Sequence, residues 1–230
     1  MSGVARQRWA VVQHVPYEGP GLIGVLLREA GHRVTVHRMW AGDTLPAVGE
    51  IDGLVVLGGP MGALDDDTHP HLQAERALLT RAVAAGLPVL GVCLGAQLLA
   101  VAYGGTLSSG ATYEVGPGEV TLTPEAAVDP AFAGLGPTLP VVHWHEDTVT
   151  LPEGAALLAR SGPTPVQAFR LGGRAYGFQF HVEIDQETAA VLRPELLAAG
   201  VALPSDAVEA VMGVGRSLLE RVLGTHPGWL

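Results

Sequence analysis

Lysine is absent from this chain of 230 residues: all 13 basic side chains are arginine. That excludes a Schiff-base lysine and the lysine of a Walker phosphate loop. Cysteine is nearly absent too, and the single thiol, Cys93, excludes an intramolecular disulfide framework and suits a reducing compartment. Positive charge is scarce. A formal charge of −10 at pH 7 argues against a nucleic-acid footprint, which needs a basic patch. No apolar run is long enough to cross a bilayer, and the one from Trp9 to Val12 is too short for the core of a signal peptide. A soluble, cytoplasmic protein that binds neither membrane nor nucleic acid is expected. What the chain has in quantity is 31 glycines, 17 prolines and 48% hydrophobic residues, as in a globular fold with many turns.

Apolar runs and turn residues alternate in an informative order. Strands are expected at Trp9 to Val15, Val34 to His37, Ile51 to Leu57 and Val89 to Val92. The third and fourth are almost continuously apolar, as strands buried on both faces are. Helices are expected from Gly19 to Ala30, from His71 to Ala85 and onward from Leu94. This β-α-β-β-α-β-α order predicts an α/β fold with an open, mostly parallel central sheet and helices on both faces. After Thr106 come short β-type runs at Glu119 to Leu122, Leu139 to His143, Ala156 to Ala159, Val166 to Phe169 and Ala175 to Val182. They predict an antiparallel or mixed extension of the same sheet. Two helical segments, Gln186 to Ala199 with Pro194 as a break or kink and Ser205 to Leu223, follow. No repeat or low-complexity linker divides the chain. One domain over 1–230 is expected, its core spanning about 9–185 with a helical segment at 186–230.

The segment Gly91-Val92-Cys93-Leu94-Gly95 has the form of a nucleophile elbow, a sharp strand-to-helix turn that presents a reactive side chain. Small residues on either side permit close backbone approach, and a helix N-terminus favours a thiolate. From this segment alone, a buried structural thiol explains Cys93 equally well. Gly58-Gly59-Pro60-Met61-Gly62 follows the third strand, at the sheet edge where ligand crevices form. Such a loop can aim N–H groups at a developing negative charge, with the N–H of Leu94 as the second donor. It also reads as an ordinary Gly/Pro turn.

His181 and Glu183, two apart on an expected strand, point to one face and can form an imidazole–carboxylate pair. His143 and His145 are rival bases, and members of a substrate wall if not. Asp65-Asp66-Asp67-Thr68-His69-Pro70-His71 tempts a metal reading but has no His-x3-His or cysteine ligand pattern. It reads better as an acidic loop capping the helix that starts at His71. No metal and no cofactor is expected. A thiol on an elbow, a donor loop one strand away and a His-x-Glu pair together make the parts of acyl transfer through a thioester.

These three segments, Gly91 to Gln97, Gly58 to Met61 and Gly177 to Glu183, resemble the signatures of class I glutamine amidotransferases, notably the free-standing members similar to the amidotransferase domain of GMP synthase. The resemblance spans about Trp9 to Asp185. It implies a catalytic triad of Cys93, His181 and Glu183, with Gly59 and Leu94 supplying oxyanion N–H groups. It further implies that Gln97 holds the amino-acid end of the substrate. Trp144 and His145, in a looser match, lie near the glutamine site. Two residues depart from the pattern: Ala96 stands where many members carry histidine, with coupling to a partner in question, and Val182 stands for the usual proline. The expected activity is release of ammonia from glutamine, with the acceptor on a synthetase or acceptor-domain partner, since no synthetase portion is expected here. The alternatives are a γ-glutamyl peptide hydrolase and a non-catalytic binding or regulatory subunit on the same fold.

Overall fold

The computed structural model describes residues 6–225. In chain order its elements are β1 (Arg8–Gln13), α1 (Gly21–Glu29), β2 (Arg33–Arg38), β3 (Gly53–Val56), α2 (His71–Ala84), β4 (Val89–Val92) and α3 (Leu94–Ala102). Then come β5 (Leu107–Ser108), β6 (Glu114–Leu122), β7 (Thr138–His145), β8 (Thr148–Val149), β9 (Ala156–Arg160), β10 (Ala168–Leu171) and β11 (Ala175–Phe178). Two helices, α4 (Gln186–Ala198) and α5 (Ser205–Val222), follow.

Nine strands form one sheet in the order β2-β1-β3-β4-β11-β10-β9-β6-β7, and β5 pairs separately with β8. The half containing β2, β1, β3, β4 and β11 is parallel. From β10 outward every pairing is antiparallel. The expected parallel sheet with an antiparallel extension is what forms. In β1, β3 and β4 alternate residues feed two apolar layers. Val11, Val55, Leu90 and Val92 join α1, α4 and α5 residues on one face, and Ala10, Val12, Leu54, Val56 and Val89 join α2 and α3 residues on the other. This is why the central stretches of those strands, Trp9 to Val12, Leu54 to Val56 and Val89 to Val92, carry no polar side chain.

Because β1, β3, β4 and β11 run the same way, the segments after them emerge at one sheet edge. His14 to Glu18, Gly58 to Gly62, Cys93 and Gln179 to Glu183 therefore converge.

Three expectations need correction. The strand from Ala175 stops at Phe178 instead of reaching Val182: the chain leaves β4, and His181 bridges Val142 of β7 by paired backbone bonds of 2.8 and 3.0 Å. The acidic loop does not cap α2, which starts behind Pro70 with no side-chain cap and no acidic residue in its first turn. Asp65 instead accepts from the Gly62 N–H at 2.7 Å, and Asp66 pairs with Arg76 on the helix. Of the break or kink expected at Pro194, the break does not occur: α4 continues to Ala198 at the cost of the bond the proline's missing N–H would make.

Candidate active site

The turn at Cys93 is as tight as its sequence implies. Cys93 has φ 49° and ψ −109°, the one positive φ outside glycine among the described residues. A Cβ on Gly91 would stand 2.4 Å from the Gly95 carbonyl oxygen, and one on Gly95 would stand 2.0 Å from that of Val56. Only glycine lets strand, turn and helix approach this closely. The turn sets Cys93 at the head of α3, where unpaired N–H groups and the helix dipole favour negative charge.

His181 is buried, with Nδ1 2.6 Å from Glu183 Oε1. That leaves Nε2 for the thiol. Burial opposes charge on His181, but the Glu183 carboxylate and the neighbouring Cys93 thiol outweigh it and hold the imidazole well above its usual range. Glu183 is itself held twice over. Its Oε2 accepts from the Val182 N–H at 3.0 Å, and its carbonyl accepts from the Leu22 N–H of α1 at 2.7 Å. The first bond depends on valine: a proline at position 182 has no N–H to give.

A cavity of about 400 Å³ opens over the thiol, lined among others by Gly59, Met61, Cys93, Gln97, Tyr113, Trp144 and His145. Six of the eight residues singled out from the sequence thus meet at the thiol: Cys93, Gly59, Gln97, Trp144 and His145 on the cavity wall, and His181 beside the sulfur. Glu183 stands behind His181, and Leu94 directly follows Cys93. Among the described residues the N–H groups of Gly59 and Leu94 take no protein acceptor. Two such donors beside a thiol are what an oxyanion requires. The Gln97 amide donates to Gln179 at 3.1 Å, and Gln179 Nε2 reaches to 3.7 Å from Cys93 Sγ.

The rival histidines are shifted towards the neutral form. Burial lowers His143 and takes His145 to about 4 despite the nearby Glu114 carboxylate. Nδ1 of His145 donates to the Asp147 carbonyl at 3.2 Å, not to a carboxylate. Ala96 is buried in the α2–α3 apolar layer.

Sequence reasoning missed His14, Glu18 and Glu75. Glu18 Oε2 lies 2.1 Å from where a Gly58 Cβ would stand, so Gly58 makes room for a carboxylate. Burial raises the Glu18 pKa, His181 opposes the rise and Glu183 adds to it. Isolated polar residues in a loop or on a polar helix carry no periodic signal. Two groups, His14 with His71 and Glu75, and Glu114 with His143 and His145, bring possible metal-ligand atoms within 4.8 Å of one another. Of the acidic stretch only His71 takes part.

Comparisons with known proteins bear on the family and the fold. Residues 22–198 match the family described as Glutamine amidotransferase class-I. The chain is 34% identical to a glutamine amidotransferase-like protein, YfeJ, of Salmonella typhimurium over 180 residues, 76% of this chain and 75% of that protein. It is 35% identical to the glutamine-hydrolysing GMP synthase of Rhodopseudomonas palustris over 57% of this chain, and the match spans only 24% of that synthase. The crystal structure of a glutamine amidotransferase from Thermotoga maritima superimposes with a TM-score of 0.85 at 29% identity, covering 96% of this chain and 99% of that one.

Proposed function

The chain belongs to the class I glutamine amidotransferase family, and on that premise we propose that it releases ammonia from glutamine through a γ-glutamyl thioester on Cys93. The Cys93 thiolate attacks the side-chain carbonyl carbon. The oxyanion that forms is held by the N–H groups of Gly59 and Leu94. His181 gives its Nε2 proton to the departing nitrogen, ammonia leaves and the thioester remains. Water then attacks the thioester, His181 takes its proton, and glutamate and the free thiol are regenerated. Glu183 keeps His181 oriented and compensates its charge throughout. Gln97, Trp144 and His145 form the wall for the rest of the substrate. No metal or cofactor enters this chemistry.

The observation that carries the reading is His181 set between the Glu183 carboxylate at 2.6 Å and the thiol at the strained turn. Ammonia then passes to an acceptor on a partner. This is supported by the similarity to a GMP synthase of which the matching part is about a quarter. No helix among the described residues is long and apolar enough to cross a membrane.

The test compares initial rates of ammonia release from glutamine and of amine release from γ-glutamyl peptides, with and without synthetase candidates from the same cell. Hydrolysis of glutamine that disappears in Cys93→Ala supports the proposal. Turnover restricted to γ-glutamyl peptides overturns the choice of substrate, and activity retained in Cys93→Ala overturns the mechanism.

A further inference from the structure

Behind the donor loop lies a buried polar relay that the mechanism above does not use. His14, just past β1, and Glu75, on α2, are both fully buried. The His14 Nδ1 is 2.8 Å from the Gly58 carbonyl oxygen, and its Nε2 is 2.8 Å from Glu75 Oε2. The other Glu75 oxygen is 2.8 Å from Nδ1 of His71, whose ring is partly exposed.

A neutral imidazole has one N–H and one lone pair. Here both ring nitrogens of His14 face oxygens, one a carbonyl and one a carboxylate, so the proton count closes with His14 as an imidazolium. The surroundings agree. Burial opposes the charge on His14, but Glu75, the Gly58 carbonyl and the more distant Glu18 raise its pKa. Burial likewise opposes charge on Glu75, yet His14 and His71 keep its pKa low.

The carbonyl that His14 binds belongs to the same peptide unit as the Gly59 N–H. That peptide is trans, as are all the others described, so C=O and N–H point in opposite directions. With the carbonyl drawn to His14, the N–H is turned away from it. The thiol is close by: a Cβ on Gly58 would stand 3.4 Å from that of Cys93, and Gly59 lines the same cavity as Cys93. A peptide between two glycines has little of its own to resist rotation.

We propose that His14 is a positioning residue that holds the Gly58–Gly59 peptide in the orientation presenting the Gly59 N–H to the oxyanion. The inference rests on the thioester reading above. Glu75 and His71 from α2 and Glu18 from the β1–α1 connection are the titratable groups that face His14 and hold it in place.

The test uses the full chain with His14→Leu, which removes the donor, and His14→Asn, whose amide can stand where Nδ1 was. Three quantities are read: kcat and KM for glutamine, and the rate of Cys93 alkylation by iodoacetamide, a displacement that builds no oxyanion. In His14→Leu, kcat should fall about 10²–10³-fold, with KM and alkylation within about threefold of wild type, and His14→Asn should recover about tenfold or more. Unchanged kcat in His14→Leu, or equal losses of kcat and alkylation without rescue by asparagine, overturns the proposal. If His14→Leu does not fold, His14→Asn with nitrogen NMR of the wild-type histidines decides. Two protonated ring nitrogens on His14 at neutral pH are expected. A neutral ring, or a stoichiometric metal found by elemental analysis, contradicts the assignment. A wild type that neither releases ammonia nor forms a Cys93 adduct sinks the thioester reading and this one with it. An active wild type with an indifferent His14→Leu sinks this one alone.

Discussion

Glycine should do unusually well at position 93. Cys93 sits at φ 49° and ψ −109°, where a Cβ crowds the adjoining backbone. Holding a side-chain residue in such a region costs about 1–3 kcal/mol. Replacing Cys93 by alanine keeps the Cβ and the strain, whereas glycine releases it. Both variants lose the same sulfur, with its contacts to the Trp144 carbonyl and the Gln179 amide at 3.7 Å, so those losses cancel in the comparison. At an ordinary buried site glycine is worse than alanine by about 0.5–1 kcal/mol of chain entropy and about 0.8 kcal/mol for the lost methyl burial. Set against the strain, these leave Cys93→Gly between about 1 kcal/mol less stable and about 2 kcal/mol more stable than Cys93→Ala. Urea unfolding of the two variants, read as midpoints at equal slope, measures the difference. Glycine less stable than alanine by about 1.5 kcal/mol, as at an unstrained buried site, would refute strain at the turn.

The other predictions concern the supports of the site. In Gly91→Ala the new Cβ meets backbone atoms of Gly95 and Ala96 at 2.4–2.7 Å, so the first turn of α3 must shift. Stability should fall by about 1–3 kcal/mol and kcat by about 10²-fold, and a variant with wild-type rates would contradict the close approach. The buried carboxylate of Asp129 accepts from Arg170 Nε at 2.6 Å, the Ala131 N–H at 2.9 Å and the Tyr176 hydroxyl at 3.2 Å. Asp129→Ala strands these donors and should cost about 3–5 kcal/mol in chemical denaturation, whereas a loss below about 1 kcal/mol would mean the network is dispensable. His145 is neutral in the fold, with a pKa of about 4 against an ordinary 6.5. The unfolded chain therefore takes up its proton first. Its contribution to stability is whole above pH 6.5 and is lost as pH falls towards 4, by at most about 3 kcal/mol. Urea midpoints followed into acid should drop less steeply in His145→Asn, and parallel curves would count against the assignment.

Much of this molecule is legible in the sequence because its central strands have no polar face. A run such as Leu54-Val55-Val56 has no stable placement except between two layers, and the loops after such strands fall at one edge. The elbow was legible because Gly91 answers to Gly95 within the same turn, although Gly95 itself answers to Val56 on the neighbouring strand. Elsewhere distant partners decide. The strand from Ala175 looks continuous to Val182, but Gln179 donates to the Gln167 carbonyl and His181 to that of Val142, which turns the chain away from β4. Strand β6 begins at Glu114 and not at Glu119, because Gly116, Pro117 and Gly118, poor strand formers, nevertheless keep register with β7. Asp65 looks like a helix cap and instead closes its own loop. Glu75 looks like one polar residue of a surface helix. It is buried, and the approach of His14 from 61 positions away, with His71 on its own helix, keeps its pKa low.

The central claim is a covalent γ-glutamyl enzyme on Cys93. It is tested most directly by mixing the protein with glutamine, quenching in acid during turnover and measuring the intact mass and the modified peptide. A diazo-ketone analogue of glutamine serves as a stable control. The account predicts a γ-glutamyl increment confined to the peptide carrying Cys93 and abolished in Cys93→Ala. Ammonia release with no adduct on Cys93 from either reagent would contradict it.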